Sequence, residues 1–142
     1  MSTVIHERER EGIVILDLSG ELTVGPPATA LREKLRELGT AGHQRIVLNL
    51  AAVDYIDSTG LGAMVVCYTT LRKAGGRLVL VNLNRRQMEL LVLTKLSTVF
   101  EVFDDEQDAV NSFFPGRRIE RFDILRFVEA QRESGGEEPP PR

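Results

Sequence analysis

The chain has 142 residues, of which 42% are hydrophobic and 27% charged, and its formal net charge is -3 at pH 7. This length suits one domain with a sizeable core, and the small negative charge predicts no broad attraction to nucleic acid or to an anionic membrane. The N-terminal residues lack the apolar core of a signal peptide, and no run approaches the ~20 apolar residues of a membrane span, so we expect a cytoplasmic protein. The single cysteine, Cys67, lies in an apolar run and is expected to be a buried structural thiol.

The first part of the chain predicts a hairpin, a helix and a central strand. Strand patterns cover residues 4–10 and 13–18, and Glu11-Gly12 between them suits a tight turn. A helix is predicted over residues 28–38, where leucines recur at helical spacing. Residues 45–50 form a nearly continuous aliphatic strand, which is typical of a strand covered on both faces.

The second part alternates helices and strands. Helices are predicted over residues 61–71, 85–96 and 104–114, with strands over 77–81 and 99–103. Such alternation requires crossover connections. We therefore predict an α/β fold, with a mixed sheet of about five strands, antiparallel at the N-terminal hairpin and otherwise largely parallel, and about four helices packed against it.

A further helix is predicted beyond this domain, which we place at residues 1–114. Ile119, Phe122, Leu125 and Val128 recur at helical spacing and predict an amphipathic extension over residues 115–132. Its apolar face has three candidate partners: its own domain, a second copy in a homodimer, or another protein. The polar residues 133–142 are expected to be disordered.

The most distinctive polar stretch is Asp-Tyr-Ile-Asp-Ser-Thr-Gly-Leu-Gly, residues 54–62. Nucleophilic catalysis would require a base beside Ser58, and the chain has only two histidines, His6 and His43, which we predict to face solvent. The sequence also lacks the nucleophile elbow, the phosphate-binding loop and a recognisable set of metal ligands. We therefore predict no enzymatic activity and no metal site.

Helix capping explains only part of this stretch. Ser58 or Thr59 is predicted to cap the following helix, with Asp57 opposing the positive end of the helix dipole. One cap is sufficient, however, and we interpret Gly60 and Gly62 as leaving the adjacent surface open to another protein. Phosphorylation of an exposed hydroxyl here would add about -1.5 to -2 charges and would repel a partner shaped for a neutral group.

Four segments, in this order and at this spacing, resemble the STAS domain family, and specifically its anti-sigma factor antagonists. The segments are Leu-Ser-Gly-Glu-Leu (18–22), Ile-Val-Leu-Asn-Leu (46–50), Tyr-Ile-Asp-Ser-Thr-Gly-Leu-Gly (55–62) and Lys-Ala-Gly-Gly-Arg-Leu-Val-Leu (73–80). The resemblance covers roughly residues 4–114. One departure is Thr23, because antagonists of this kind commonly carry an aspartate after Gly-Glu-Leu.

The resemblance implies a phosphorylation-controlled partner switch. The unphosphorylated form would bind an anti-sigma factor that is also a serine/threonine kinase and so release a sigma factor. Phosphorylation on Ser58 would end that binding, and a PP2C-type phosphatase would restore it. ATP would belong to the kinase, so the resemblance implies no cofactor for this chain. The implied partner-binding residues are Asp57, Thr59, Gly60, Leu61 and Gly62, together with Glu21 and Thr23 in the neighbouring loop. The alternative is a scaffold or accessory subunit of a signalling or transport complex that does not switch.

Overall fold

The computed structural model describes residues 4–135. In chain order its elements are β1 (Val4–Arg10), β2 (Ile13–Leu22), α1 (Pro26–Thr40), β3 (Arg45–Ile56), α2 (Ser58–Lys73), β4 (Arg77–Val81), α3 (Arg85–Leu93), a 3-10 turn (Leu96–Thr98), β5 (Val102–Phe103), α4 (Glu106–Asn111) and α5 (Ile124–Gly135). Of the end expected to be disordered, residues 133–135 lie in α5, and residues 136–142 lie outside the described part of the chain.

The strands form one mixed sheet in the order β1-β2-β3-β4-β5. Only β1 and β2 pair antiparallel, and each later pair is parallel. The hairpin turn places Glu11 at φ 53° and Gly12 at φ 82°, the positive values that a tight turn between twisted strands requires. The predicted α/β fold is therefore confirmed.

Alternating side chains of the sheet enter two hydrophobic cores. One face, with residues such as Leu16, Leu48 and Leu80, packs against helices α1, α2, α3 and α5. The opposite face, with residues such as Val47 and Phe103, is covered by the short α4 and by the aromatic residues that follow it. The core on the first of these faces, which we call the main core, is larger and holds Leu61, Met64 and Leu71 of α2. It also holds Cys67, which is buried as expected.

Strands β2 and β3 are longer than predicted. Their parallel register continues to Leu22 opposite Ile56, with irregularities on either side of Gly20, whose φ is 93°. The predicted ends at residues 18 and 50 were wrong because polar residues interrupt the apolar pattern while the backbone pairing continues. This extension places the segment after β2 beside the start of α2.

Three later elements are shorter than predicted. Helix α3 ends at Leu93 rather than at residue 96, since Lys95 adopts a left-handed conformation with φ 66°. Phe100 is buried against Tyr68, with ring centroids 5.2 Å apart, and β5 begins only after it. The acidic Asp105 caps α4 by accepting a bond from the Asp108 amide at 3.0 Å, and the helix ends at Asn111.

The C-terminal extension packs on its own chain. Residues 117–123 were predicted to be helical but are not. The Phe122 amide donates to the carbonyl of Val102, in the edge strand β5, at 3.0 Å. Helix α5 then buries Ile124 and Val128, which are 3% and 1% exposed, in the main core beside α3. The apolar face of this helix therefore has a partner within the same chain.

An ionic cluster joins β1 to β2 and α4. The guanidinium of Arg8 lies 2.6 Å from an Asp17 oxygen and 2.5 Å from a Glu106 oxygen. Hydrogen bonds from Arg8 lower the pKa of both carboxyl groups, and burial opposes this effect in each case. A carboxyl whose pKa is lower in the folded than in the unfolded state stabilises the fold above its unfolded pKa.

We therefore predict that folding stability declines as the pH falls from about 5 through the lowered pKa values. The variant Arg8→Met removes the main cause, so its stability should depend less steeply on pH across that window. Urea unfolding of both proteins at about pH 7 and about pH 4 measures the two slopes. Equal slopes would show that these carboxyl groups do not dominate the acid response.

Candidate functional site

The polar stretch lies at the edge of the sheet where the parallel strands β2 and β3 end. The Asp57 amide donates to the Leu22 carbonyl at 3.3 Å, which joins the two strand ends. The Val24 amide donates to Asp57 Oδ2 at 3.0 Å and ties the segment between β2 and α1 to the same residue. Edges formed by the carboxyl ends of parallel strands are a common location for binding sites.

Asp57, rather than Ser58 or Thr59, is the N-cap of α2. Its Oδ1 accepts the Gly60 amide hydrogen at 2.7 Å, while Oδ2 accepts from Val24. These backbone donors, Gly60 first, lower the pKa of the Asp57 carboxyl. The prediction of a hydroxyl cap was wrong because the two carboxylate oxygens of Asp57 accept from the first turn of α2 and from the neighbouring loop.

The hydroxyl groups of Ser58 and Thr59 have no structural task. Both residues are exposed on the first turn of α2. Within residues 4–135, neither hydroxyl has a hydrogen-bond partner. Ser58 thus presents a side chain to solvent at the positive end of a helix of 16 residues.

The glycines of the stretch differ in their surroundings. Gly60 is buried, and a Cβ added to it would lie 2.0 Å from the Leu22 carbonyl oxygen. Gly62 is exposed, and nothing lies within 4 Å of its added Cβ. The interpretation that both glycines leave the surface open is therefore wrong for Gly60, which permits close packing on β2. Leu61 is also buried in the main core, so among these three only Gly62 offers surface in this conformation.

The predicted residues of the neighbouring loop do come close to the polar stretch. Glu21 lies opposite Tyr55 in the register of β2 with β3. Thr23 follows the end of β2, and its carbonyl accepts the Ala28 amide hydrogen at 3.1 Å at the start of α1. Its neighbour Val24 is the residue that bonds to Asp57.

A pocket of about 300 Å³ opens directly beside Ser58, between the end of β3 and helix α3. Its apolar lining includes Tyr55 and Leu93, which are 47% and 69% exposed. Arg86 and Asn84, at the start of α3, add polar groups to the rim. The exposed apolar side chains of Tyr55 and Leu93 form a surface beside the free hydroxyl, which we call the Ser58 surface.

Comparisons with known proteins identify the family. The family model described as the STAS domain matches residues 5–109. The chain belongs to the STAS domain family. The anti-sigma-B factor antagonist of Bacillus subtilis is 33% identical to it over 102 residues, which are 72% of this chain and 92% of that protein.

Solved STAS structures share this fold. TM1081 from Thermotoga maritima superposes with a TM-score of 0.71 at 27% identity, covering 76% of this chain and 92% of that one. The anti-sigma factor antagonist SpoIIAA in its unphosphorylated form gives 0.64 at 19% identity, covering 79% of this chain and 99% of that chain. The phosphorylated form of SpoIIAA gives 0.62 at 20% identity, covering 78% and 99%. At these identities, the SpoIIAA comparisons concern the fold alone.

The start of α3 was not predicted to belong to this STAS site, although the sequence contains a signal for it. Asn84 and Gln87 form a capping box, in which Asn84 Oδ1 accepts the Gln87 amide hydrogen at 2.8 Å. The Gln87 side chain also donates to the Val53 carbonyl at 3.0 Å and fixes α3 against β3. The spacing Asn-x-x-Gln after strand β4 predicts a helix start at the same edge of the sheet.

The rest of the STAS domain offers few groups for other chemistry. Neither His6 nor His43 lines the pocket beside Ser58, and His6 lies 3.6 Å from Asp17 on the hairpin. Among the residues described by the structure, no three His, Cys, Asp or Glu side chains are grouped as metal ligands. In the same residues, no helix has both the length and the apolar character needed to cross a membrane.

Asp57→Asn separates the two bonds of the cap. The new amide oxygen can still accept from Gly60, whereas the amide nitrogen cannot accept from Val24. We expect hydrogen exchange at the Val24 amide to accelerate several-fold or more, with the Gly60 amide staying protected. Asp57→Ala is the matched variant and should accelerate both. Unchanged exchange at Val24 in Asp57→Asn would show that this bond does not hold the loop.

Proposed function

We propose that this STAS domain is an anti-sigma factor antagonist that works as a phosphorylation-controlled partner switch in the cytoplasm. Its unphosphorylated form binds an anti-sigma factor that is also a serine/threonine kinase, and the sigma factor is released. Phosphorylation on Ser58 ends the binding, and a PP2C-type phosphatase reverses it. The name of the relative from Bacillus subtilis, an anti-sigma-B factor antagonist, supports the antagonist role. SpoIIAA, which shares the fold, is known in both phosphorylated and unphosphorylated forms.

The observation that carries the proposal is the free, exposed hydroxyl of Ser58 beside a cap made by another residue. Because Asp57 satisfies the amide of Gly60, a change at Ser58 breaks no bond within the described residues. A kinase can therefore reach and modify the hydroxyl without opening the fold. The phosphate on Ser58 therefore affects the binding of the partner rather than the fold.

The electrostatics of the site support repulsion rather than refolding. A phosphate adds about -1.5 to -2 charges, and the N-terminus of α2 tolerates negative charge. Three carboxylates, Asp54, Asp57 and Glu89, and one guanidinium, Arg86, line the same pocket as Ser58, so the phosphate adds to a lining that is already net negative. A partner that presents acidic or closely fitting groups to the neutral hydroxyl is expelled.

The Ser58 surface gives the partner an area to bind. Tyr55 and Leu93 remain exposed beside the hydroxyl, and exposed apolar side chains of this kind commonly anchor protein interfaces. Gly62 leaves the next turn of α2 unobstructed. The phosphate would stand within this apolar surface, where its desolvation on binding is costly.

The proposal is tested by incubating the chain with ATP and the anti-sigma kinase of the same organism, followed by mass mapping. We expect one phosphate, on Ser58, in the native chain and in Thr59→Ala. Ser58→Ala should take up none and should keep its stability, since the hydroxyl makes no hydrogen bond to any residue that the structure describes. Phosphate on Thr59 alone, or none while the kinase is bound, would refute the assignment.

A scaffold that does not switch is the alternative, and binding distinguishes it. Partner affinity that is unchanged by Ser58→Asp and by phosphorylation would favour a constitutive subunit of a complex. The matched control is Ser58→Asn, which is similar in size to the aspartate and uncharged. A loss in Ser58→Asp that Ser58→Asn does not share assigns the effect to charge.

A further inference from the structure

A second cavity lies between the C-terminal halves of α1 and α2. It has a volume of about 390 Å³, within the range of small-molecule sites, about 300–1,000 Å³. Thr70 on its rim is about 18 Å from Ser58 along α2, from the rise of 1.5 Å per residue. The cavity shares no lining residue with the pocket beside Ser58. We call it the α1–α2 groove.

The interior of the α1–α2 groove is apolar. Leu35 of α1 and Cys67 and Leu71 of α2 contribute buried side chains to it. Val66 stands at the rim and is 50% exposed, although it lies in the middle of a helix that otherwise buries its large aliphatic side chains. An apolar chain placed between the helices would cover these groups and remove apolar surface from water.

Two arginines supply the charge at the groove. Arg32 and Arg36 are one turn apart on α1, and both line the cavity. Neither side chain forms an ion pair within the described residues, whereas Lys34 between them pairs with Glu7 and Glu37. A guanidinium pair beside an apolar interior complements a carboxylate at the end of an apolar molecule.

Gly39 contributes no side chain to the groove. It lies within the last turn of α1 and lines the cavity, and an added Cβ would meet nothing within 4 Å. Its φ is not among the positive values of the chain, so the backbone does not require a glycine there. Glycine is unfavourable inside a helix, and neither packing nor conformation accounts for it at this position. Its lack of a side chain leaves free space at the groove.

We propose that the α1–α2 groove binds a small amphiphile with one carboxylate and an unbranched apolar chain, of the medium-chain fatty acid class. The carboxylate pairs with Arg32 and Arg36, and the chain lies along Leu35, Cys67 and Leu71. The charge of the arginine pair selects this occupant over a cationic or uncharged amphiphile. The site is independent of Ser58 and of the proposed switch.

Calorimetric titration with decanoate tests the charge requirement. We expect saturable binding of decanoate and none of decyltrimethylammonium, which has the same chain and the opposite charge. Arg32→Ala with Arg36→Ala should weaken decanoate binding about tenfold or more, the loss of a charge-assisted pair. The matched control, Arg118→Ala with Arg126→Ala, removes two other exposed arginines and should leave the affinity unchanged.

Two further measurements locate the ligand. Gly39→Leu should fill the groove and weaken decanoate binding about tenfold, without lowering the thermal midpoint, because leucine favours the helix. Cys67 is the single thiol of the chain, and burial raises its pKa to about 11, so maleimide labelling is slow and site-specific. Bound decanoate should slow that labelling further.

Three outcomes would overturn the proposal. They are equal binding of the cationic amphiphile, decanoate affinity unaffected by both the arginine and the Gly39 variants, and Cys67 labelling that decanoate does not change. A chain that dimerises and loses its dimer in Gly39→Leu would instead assign the groove to a second copy. None of these results depends on whether Ser58 is phosphorylated.

Discussion

Gly60→Ala is expected to lower the free energy of unfolding by about 3 kcal/mol or more, the upper range for overpacking a core. The added Cβ would lie 2.0 Å from the Leu22 carbonyl oxygen and 2.8 Å from the carbonyl carbon, and both are backbone atoms. A side chain could rotate away from such a contact, but the end of β2 can only shift as a unit. That shift would stretch the bond from the Asp57 amide to the same carbonyl oxygen, which is 3.3 Å long.

Gly62→Ala is the matched control for Gly60→Ala. It lies in the same helix, with nothing within 4 Å of its added Cβ, so it should be neutral or more stable by up to about 1 kcal/mol. Urea denaturation of the two variants and the parent chain measures the difference. If the two alanine variants were equally stable, the close approach of Gly60 to β2 would not be a constraint in solution.

The second large effect is expected in the C-terminal extension. Ile124→Ala combined with Val128→Ala removes two buried side chains, 3% and 1% exposed, from the interface of α5 with the main core. Large-to-small substitutions of this type cost about 2–5 kcal/mol for isoleucine alone. We expect a loss of about 4 kcal/mol for the pair. Leu125→Ala, on the same helix and 41% exposed, is the control and should be nearly neutral.

The same variants separate the two roles considered for α5. If the helix packs on its own domain, the double variant unfolds at lower urea concentration and the molar mass in solution does not change. If α5 holds two copies together, the double variant changes the molar mass and leaves the stability of the single chain intact. Analytical ultracentrifugation beside the unfolding curves gives both quantities.

Much of the fold was predictable because local pattern and tertiary environment agree. The aliphatic run at residues 45–50 lies in a strand buried on both faces, as its composition indicated. The helix predicted over residues 61–71 is present as part of α2 and buries Leu61, Met64 and Leu71. Where the pattern was interrupted, as at Gly20 in β2, the sequence could not show that pairing with β3 continues across an irregularity.

The site was predictable in position but not in the roles of its residues. Asp57, Ser58 and Thr59 are all good capping residues, and the choice among them depends on the Val24 amide, 33 residues away in sequence. The burial of Gly60 depends on Leu22, which approaches it only after β2 and β3 pair. Contacts of this kind are fixed by the topology of the sheet and leave little trace in the local sequence.

The pocket beside Ser58 shows the same limit. Tyr55 belongs to β3 and Leu93 to α3, so their proximity follows from the parallel packing of strands and helices rather than from spacing. Each is an exposed apolar residue, which is ordinary when it occurs singly. Together they indicate a binding surface, because both line the pocket beside the free hydroxyl of Ser58.

The most direct test of the switch compares the affinity of the anti-sigma factor for the unphosphorylated chain and for the chain carrying one phosphate on Ser58. Calorimetric titration at fixed ionic strength measures both dissociation constants. We expect the phosphorylated form to bind about a hundredfold more weakly, since a like-charge or desolvation penalty of about 3 kcal/mol corresponds to that ratio. Dissociation constants that agree within about twofold would contradict the account, because the hydroxyl of Ser58 would then carry no control over binding.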